Sequence, residues 1–196
     1  MSGTRIPKAE ITGLYGYALK RFARKMLGEF PEPAEVMWHN RKVLSSTMGF
    51  GGKVQKWDTL DPNLQSFAGM AVASLVGCSW CLDFGYYHAS NAGLDEVKAS
   101  EVPRWRESTV FTPLEREVME YAEAMSQTPP AVTDEMSAAL LEALGAPALV
   151  ELTARIAGMN LTARTNVALG IRSQGFSAAC GLPPLATPSA RMALPA

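Results

Sequence analysis

The stretch CSWCLDFGYYH at positions 78–88 brings together the residue types most capable of chemistry in this chain: two cysteines three positions apart, then an acid, two tyrosines and a histidine. A Cys-x-x-Cys pair one helical turn apart can close a disulfide with little backbone movement and reopen it by thiol exchange. Gly77 is a helix-ending residue, and the run from about Ser79 to Asn91, closed by Gly93, predicts a new helix directly after it. The cysteines then lie on an opening turn, where unpaired N–H groups and the positive end of the helix dipole stabilise a thiolate. This reading expects both sulfurs to be within bonding range and reachable from solvent. The competing reading treats Cys78 and Cys81 as small buried apolar residues, a common fate of free cysteine.

The neighbours of the pair are weighed in the same way. His88 is seven residues after Cys81, two turns along the same face and about 10 Å away by the helical rise, so it reaches the sulfur only through water or a bend. It is kept as a candidate proton donor and equally as an ordinary helix residue, and a tyrosine hydroxyl is the other candidate donor. Asp83 is on a different face and reads as a cap or a surface charge. Trp80, Phe84 and Tyr87, with Tyr86, suit an apolar substrate pocket or a subunit interface. Zinc needs about four ligands, and no second Cys-x-x-Cys or His-x-x-x-His supplies them. His39, His88 and Cys180 would complete such a site only by coincidence of folding, so neither metal nor cofactor is expected.

The elements that must hold this stretch are helical. Leu14, Tyr17, Ala18, Phe22 and Met26 recur at three- and four-residue steps between Ile11 and Phe30, with Lys20, Arg21, Arg24 and Lys25 mostly on other faces. That predicts an amphipathic helix stopped by Pro31. A second helix is expected from about Pro33 through EVMWHNRKVLSSTM to Gly49, followed by a loop holding Gly51 and Gly52. Asp61 is a good N-cap with Pro62 at the first helical position, and the uncharged run FAGMAVASLVG behind it should be buried all round.

Beyond a short segment at 94–100 and a loop with Pro103 and Trp105, Thr112-Pro113-Leu114-Glu115 matches a capping box and opens a helix that stops before Pro129-Pro130. Thr133 caps a further helix through Leu144, Gly145 ends it, and Pro147 opens a last long helix ending at Gly170, with Gly158 as a candidate bend. No segment alternates like a strand, so the fold class is all-α, and a thioredoxin-like strand–helix–strand site is not expected.

Size and charge narrow the function. A chain of 196 residues fits one sizeable domain. Net charge −1 with 47% hydrophobic residues favours neither a nucleic-acid footprint nor disorder. No uninterrupted apolar run approaches the roughly 18 residues of a membrane span, and the N-terminus MSGTRIPKAEITG lacks a signal-like apolar core. A cytoplasmic protein is expected, with no nucleic-acid or membrane partner. In a reducing compartment three cysteines do not form a structural disulfide framework.

The segment SLVGCSWCLDFGYYHASNAGL resembles the Cys-x-x-Cys helix of the carboxymuconolactone decarboxylase and alkylhydroperoxidase-D superfamily. MWHNRKVL, TPLEREVMEYAEAMSQTPPAVTDE and RTNVALGIRSQGFS resemble, in order, its early helix, its middle helix and loop, and its closing segment. The resemblance divides the chain into an N-terminal helix at 1–32, a helical domain at 33–177 and a Pro-rich tail at 178–196 expected to be irregular and partly disordered. It implies an alkylhydroperoxidase-D-like helical bundle and a homotrimer or hexamer.

In the thiol peroxidase members, the resemblance implies, the cysteine pair reduces a hydroperoxide and a thiol reductant reopens the resulting disulfide. A glutamate twelve residues before the first cysteine and a histidine four after the second relay protons there; in this chain those positions hold Ser66 and Gly85. General acid–base help of this kind is typically worth about 10²- to 10⁴-fold in rate. The decarboxylase members act on a lactone acid without relying on such a pair, and Arg41, Arg164 and Arg172 are the candidates to hold its carboxylates.

The leading expectation is therefore a thiol-disulfide oxidoreductase of peroxidase type, with Cys78, Cys81 and His88 as catalytic candidates and Trp80, Phe84 and Tyr87 as substrate-binding candidates. A decarboxylase or other lactone-acid enzyme, and a non-catalytic helical oligomer with an inert pair, are the alternatives. Met37, Met48, Met70 and Met119 fall at plausible packing positions and suit either homo-oligomerisation or a plain core.

Overall fold

The computed structural model describes residues 3–187. Among these residues the regular elements are all helical: α1 (Gly13–Leu27), α2 (Glu32–Met37), α3 (Arg41–Val54), α4 (Pro62–Val76), α5 (Ser79–Asn91), α6 (Glu96–Glu101), a 3-10 turn (Val102–Arg104), α7 (Pro113–Ser126), α8 (Asp134–Leu169) and α9 (Phe176–Ala179).

The all-α class follows from local punctuation that the chain carries in its own residues. Asp61 Oδ1 accepts from the N–H groups of Asn63 and Leu64 at 2.9 and 3.2 Å, which fixes the start of α4. Thr112 and Glu115 form the expected capping box at the start of α7. Gly77 and Gly170 end α4 and α8 in the left-handed region, at φ 77° and 73°.

The uncharged α4 is the axis of the molecule. Its Ala- and Gly-rich surface lets α5, α7 and α8 pack closely around it. Phe67, Ala71 and Val72 of α4, Val118 and Met119 of α7, and Leu152 and Ile156 of α8 have no accessible surface. Complete burial of each large apolar side chain contributes about 1.5–3 kcal/mol, so this wall is rigid enough to hold a site.

α8 is long and apolar enough by length and composition alone to cross a membrane. It packs on α4 and α7 along one face, and 22% of its apolar window is buried. Gly145 (φ 77°, ψ 161°) interrupts it where the sequence separates two helices, while Gly158 causes no break. At Gly158 a Cβ would meet the Phe50 ring at 3.0 Å, so the residue serves close packing rather than bending.

Three expectations are corrected. The helix from Pro33 to Gly49 is two helices, α2 and α3. Asn40 intervenes because its side chain accepts from Val43 N at 3.3 Å and starts a new helix. The glycines at 49, 51 and 52 lie within α3 rather than in a loop. The apolar stripe of α1 does not face the core: Leu14, Tyr17 and Phe22 are 92%, 69% and 63% exposed. The small-residue face of α1, with Gly16 and Ala23, turns inward instead. A Cβ on Gly16 would lie 3.5 Å from Trp38, and only that face can come so near the Ile11, Trp38 and Leu44 cluster. Of the Pro-rich tail, Ala178 and Ala179 belong to α9, and residues 181–187 are irregular with Leu182 and Leu185 against the main core. Residues 188–196 of that tail lie outside the described residues.

A candidate redox site at the start of α5

Gly77 turns the chain from α4 into α5, and Cys78 is the N-cap of α5. Cys78 Sγ accepts from the Cys81 N–H at 3.2 Å, so a sulfur takes the place that an oxygen commonly holds at a helix start. Cys78 and Cys81 are joined in a disulfide with Cα atoms 5.3 Å apart, within the range such a bond spans. Cys180 is exposed and free.

The expectation of sulfurs open to solvent is corrected: Cys78 is 1% and Cys81 4% exposed. They lie among Val36, Ala73, Trp80, Ala163, Ile171 and Phe176, brought together from five parts of the chain. Access runs instead through a cavity of about 740 Å³ between α3, α4, α5 and α8, with Cys81 on its wall. Cys78 is not on that wall.

The cavity is mostly apolar, with Phe50, Met70, Trp80, Phe84 and Met159 as its larger lining groups. Ser66 and Gly85 both line it, so the two positions where the resemblance expects an acid and a histidine face the same space as Cys81 without either group. Gly85 leaves room because a Cβ there would stand 3.2 Å from Met70 Cγ. His88 is exposed at the cavity rim.

Trp80 and Phe84 stack at 4.8 Å and form part of the wall. Tyr87 is on the other side of α5, its ring 5.7 Å from Phe176. Tyr86 is wholly buried in the main core, and burial, then the charge of Glu96, push its phenol above the ordinary value. It does not line the cavity.

None of the three arginine candidates lines the cavity. The Arg41 guanidinium stacks over Trp38 at 4.7 Å. Arg164 donates to the Ser126 carbonyl and to Asn160 Oδ1. Arg172 is exposed. The arginine on the wall is Arg155, which donates through Nε to Glu151 Oε1 at 2.8 Å and through Nη2 to the Trp57 carbonyl at 2.5 Å. Burial pushes the Glu151 carboxyl up, but the bonds from Arg155 and from the Thr59 N–H outweigh it and hold the group below its ordinary value.

Asp83, read from sequence as a cap or surface charge, is 5% exposed and does something else. Its Oδ2 accepts from Ser173 Oγ, Gly175 N and Phe176 N at 2.7–3.0 Å, and its Oδ1 from Ser177 N and Oγ at 2.9 and 2.6 Å. The segment 173–177 is thereby strapped across α5. Burial pushes the Asp83 carboxyl up, and the bonds from Ser177, Ser173 and Phe176 more than reverse this, holding it below the ordinary carboxylate value.

The strap carries Gln174, whose Oε1 accepts from Trp80 Nε1 at 2.9 Å and from Glu32 N at 2.7 Å. Asp83 thus positions, through the strap, an aromatic wall of the cavity. Sequence reasoning also missed Asn166 of α8, wholly buried, whose Nδ2 lies 3.4 Å from Cys81 Sγ and 3.9 Å from Cys78 Sγ. Its signal was present: a polar amide near the end of an otherwise apolar helical run, NVALG. Among the described residues no group of three or more His, Cys, Asp or Glu side chains gathers as metal ligands would.

Residues 41–124 match the model of the Carboxymuconolactone decarboxylase family. The uncharacterized protein YnjA of Escherichia coli (strain K12) is 36% identical over 137 residues, which are 70% of this chain and 74% of YnjA. Among solved structures, a variant of the debrominase Bmp8 in complex with 2,3,4-tribromopyrrole is similar with a TM-score of 0.76 at 18% identity, over 90% of this chain and 96% of that one. An uncharacterized peroxidase-related protein from Ralstonia eutropha JMP134, an alkylhydroperoxidase AhpD core, gives 0.75 at 15% identity, over 90% and 95%. These two likenesses carry the fold, and the matched sequence span carries the cysteine helix. By its helical order, its Cys-x-x-Cys at the start of α5 and these matches, the chain belongs to the carboxymuconolactone decarboxylase family.

Proposed function

We propose that the protein is a thiol-disulfide oxidoreductase that reduces organic hydroperoxides with compact apolar bodies. The observation that carries this reading is the Cys78–Cys81 disulfide with only Cys81 on the wall of an apolar cavity. Cys81 is then the attacking sulfur and Cys78 the resolving one. In the reduced protein the Cys81 thiolate attacks the terminal peroxide oxygen; the O–O bond breaks, leaving Cys81 sulfenic acid and an alkoxide that takes a proton from water. The Cys78 thiol then attacks the Cys81 sulfur, the S–O bond breaks, and water leaves as the disulfide re-forms. A small thiol or dithiol reductant, of the kind a reducing cytoplasm supplies, reopens it by exchange.

The chemistry is slower than a relay-equipped site would allow, because Ser66 and Gly85 offer no acid or base of matched pKa. His88 at the rim is the candidate donor, through water. Trp80 and Phe84 bind the apolar body, with Tyr87 supporting them from behind through Phe84. Assembly as a homotrimer or hexamer belongs to the same reading. The lactone-acid alternative gains no support, since Arg41, Arg164 and Arg172 are engaged or exposed elsewhere and Arg155 is already paired with Glu151.

The test is stopped-flow oxidation of pre-reduced protein by cumene hydroperoxide, with Cys81→Ser and Cys78→Ser alongside. The expected result is cysteine-dependent consumption that Cys81→Ser abolishes and that Cys78→Ser limits to one turnover ending in a sulfenic acid trapped by dimedone. Consumption independent of either cysteine, or none at all, refutes the proposal.

A further inference from the structure

Reduction of the pair leaves, near neutral pH, one thiol and one thiolate, and the position of the charge decides whether the site can attack. The start of α5 favours Cys78: this sulfur is the N-cap and already accepts the Cys81 N–H at 3.2 Å. Yet Cys78 is sealed, and the cavity reaches only Cys81. Left to the helix terminus alone, the negative charge would sit on a sulfur that no substrate meets.

Asn166 approaches the pair from α8. It is wholly buried, and its Nδ2 is nearer to Cys81 Sγ (3.4 Å) than to Cys78 Sγ (3.9 Å). Its backbone carbonyl accepts from Ile171 N at 2.9 Å, which fixes the residue at the closing turn of its helix. Its Oδ1 is buried with no hydrogen-bond partner. A buried amide oxygen without a donor costs free energy, and in the oxidised protein neither sulfur carries a proton to give it. A thiol S–H would.

We propose that Asn166 places the charge of the reduced pair on Cys81, its Nδ2–H donating to the Cys81 thiolate while its Oδ1 accepts the S–H of the Cys78 thiol. This rests on the redox reading above and names the residue that makes Cys81 the nucleophile. The balance is complete: a dithiol donor gives two electrons, the Cys78–Cys81 bond breaks, and the donor's sulfurs join as a disulfide. Of the two protons the donor releases, one stays on Cys78 and one goes to water. Asn166 satisfies both of its polar atoms only in this state, so it favours the reduced pair over the disulfide as well as Cys81 over Cys78.

Other charges do not offer the same service. The shell of Val36, Ala73, Trp80, Ala163, Ile171 and Phe176 carries none. On α5, Asp83 is occupied by the strap and His88 lies two turns from Cys81. On α8, Arg164 donates to Asn160 Oδ1 and the Ser126 carbonyl, and Arg155 precedes Asn166 by eleven residues, about 16 Å of helical rise, and is paired with Glu151. The Gln174 amide of the strap is committed to Trp80, Glu32 and Phe30.

The test uses pre-reduced full-length protein, wild type, Asn166→Ala and Asn166→Asp. Iodoacetamide alkylation of each cysteine against pH is followed by mass spectrometry, and the pair is equilibrated with dithiothreitol redox buffers. In the wild type Cys81 is expected to react first, with a pKa below the reference of about 8.5. In Asn166→Ala its alkylation at neutral pH falls about tenfold, one pKa unit, and the equilibrium moves about tenfold toward the disulfide, about 30 mV for a two-electron couple. Asn166→Asp, which sets an acceptor against the thiolate, shifts both further. Unchanged Cys81 reactivity in folded variants, or Cys78 reacting first in the wild type, overturns the proposal.

Where the variants do not fold, the wild type decides alone: with asparagine ¹⁵N-labelled, the Asn166 side-chain NH₂ resonance shifts on reduction, and a resonance indifferent to reduction overturns the proposal. The two readings separate cleanly. A pair that ignores hydroperoxide but shows an Asn166-dependent Cys81 pKa removes only the peroxidase reading, and a peroxidase whose Cys81 is indifferent to Asn166 removes only this one.

Discussion

Replacing Asp83 with asparagine tests the strap that supports the cavity wall. The substitution keeps the size of the side chain and exchanges one acceptor oxygen for an NH₂ group. Every partner of Asp83 is a donor: three N–H groups at 2.9–3.0 Å and two serine hydroxyls at 2.6 and 2.7 Å. The asparagine oxygen retains its bonds best in the Oδ2 position, so the NH₂ faces the Ser177 N–H and hydroxyl. The hydroxyl can rotate and accept; the N–H cannot. At least one bond to a charged acceptor is lost outright, and the others weaken from charged to neutral. With charged-acceptor bonds worth about 1.5–3 kcal/mol each and neutral ones about 1, the net loss is about 2–4 kcal/mol, against a total stability of order 5–15 kcal/mol.

Urea unfolding followed by far-UV circular dichroism measures that loss. Tryptophan fluorescence reads it locally, because Trp80 loses the Gln174 bond at 2.9 Å when the strap lifts. A fall in stability of less than about 0.5 kcal/mol with unaltered fluorescence is what a surface charge would give, and it would refute the role assigned to Asp83.

Acid should separate the same two proteins. The folded Asp83 carboxyl is held below its ordinary value of about 3.9. Its stabilisation is therefore fully present above that value and is lost as pH falls through the lower folded value. The urea-midpoint gap between wild type and Asp83→Asn should be constant above about pH 5 and narrow below about pH 4; a gap independent of pH down to 2.5 contradicts the assignment. The vacant relay positions give a further prediction. Ser66→Glu combined with Gly85→His, both facing the cavity, should raise the rate of hydroperoxide oxidation of the reduced pair by about a hundredfold or more in stopped flow. Gly85→Ala alone should be nearly neutral in stability and rate, since the flexible Met70 can yield to the new Cβ and alanine gains helix propensity of about 1 kcal/mol over glycine. No acceleration in the folded double variant means that those positions do not serve the sulfurs.

What local physics controls was legible in the order of residues. Asp61 with Pro62, Thr112 with Glu115, and Gly77, Gly145 and Gly170 mark helix ends because capping bonds and left-handed turns involve residues within a few positions of one another. For the same reason the cysteine pair could be assigned to a helix start, and the uncharged run at α4 to the centre of the core. Periodicity reveals that a helix has an apolar stripe, but not what the stripe meets. In α1 the Leu14, Tyr17 and Phe22 side lies outward because the slimmer Gly16 and Ala23 side fits closer to Trp38.

The chemistry of the site came from long-range packing. Which sulfur faces the cavity, what Asp83 holds and what Asn166 touches all depend on contacts between residues about 85 to 94 positions apart. Such contacts are set by how α5, α8 and the segment after α8 pack on α4, and no spacing within a single helix encodes them. Burial completes the distinction: an aspartate on a helix is a surface charge until five donors from another segment surround it, and an asparagine among apolar residues is an ordinary helix residue until its side-chain amide meets two sulfurs.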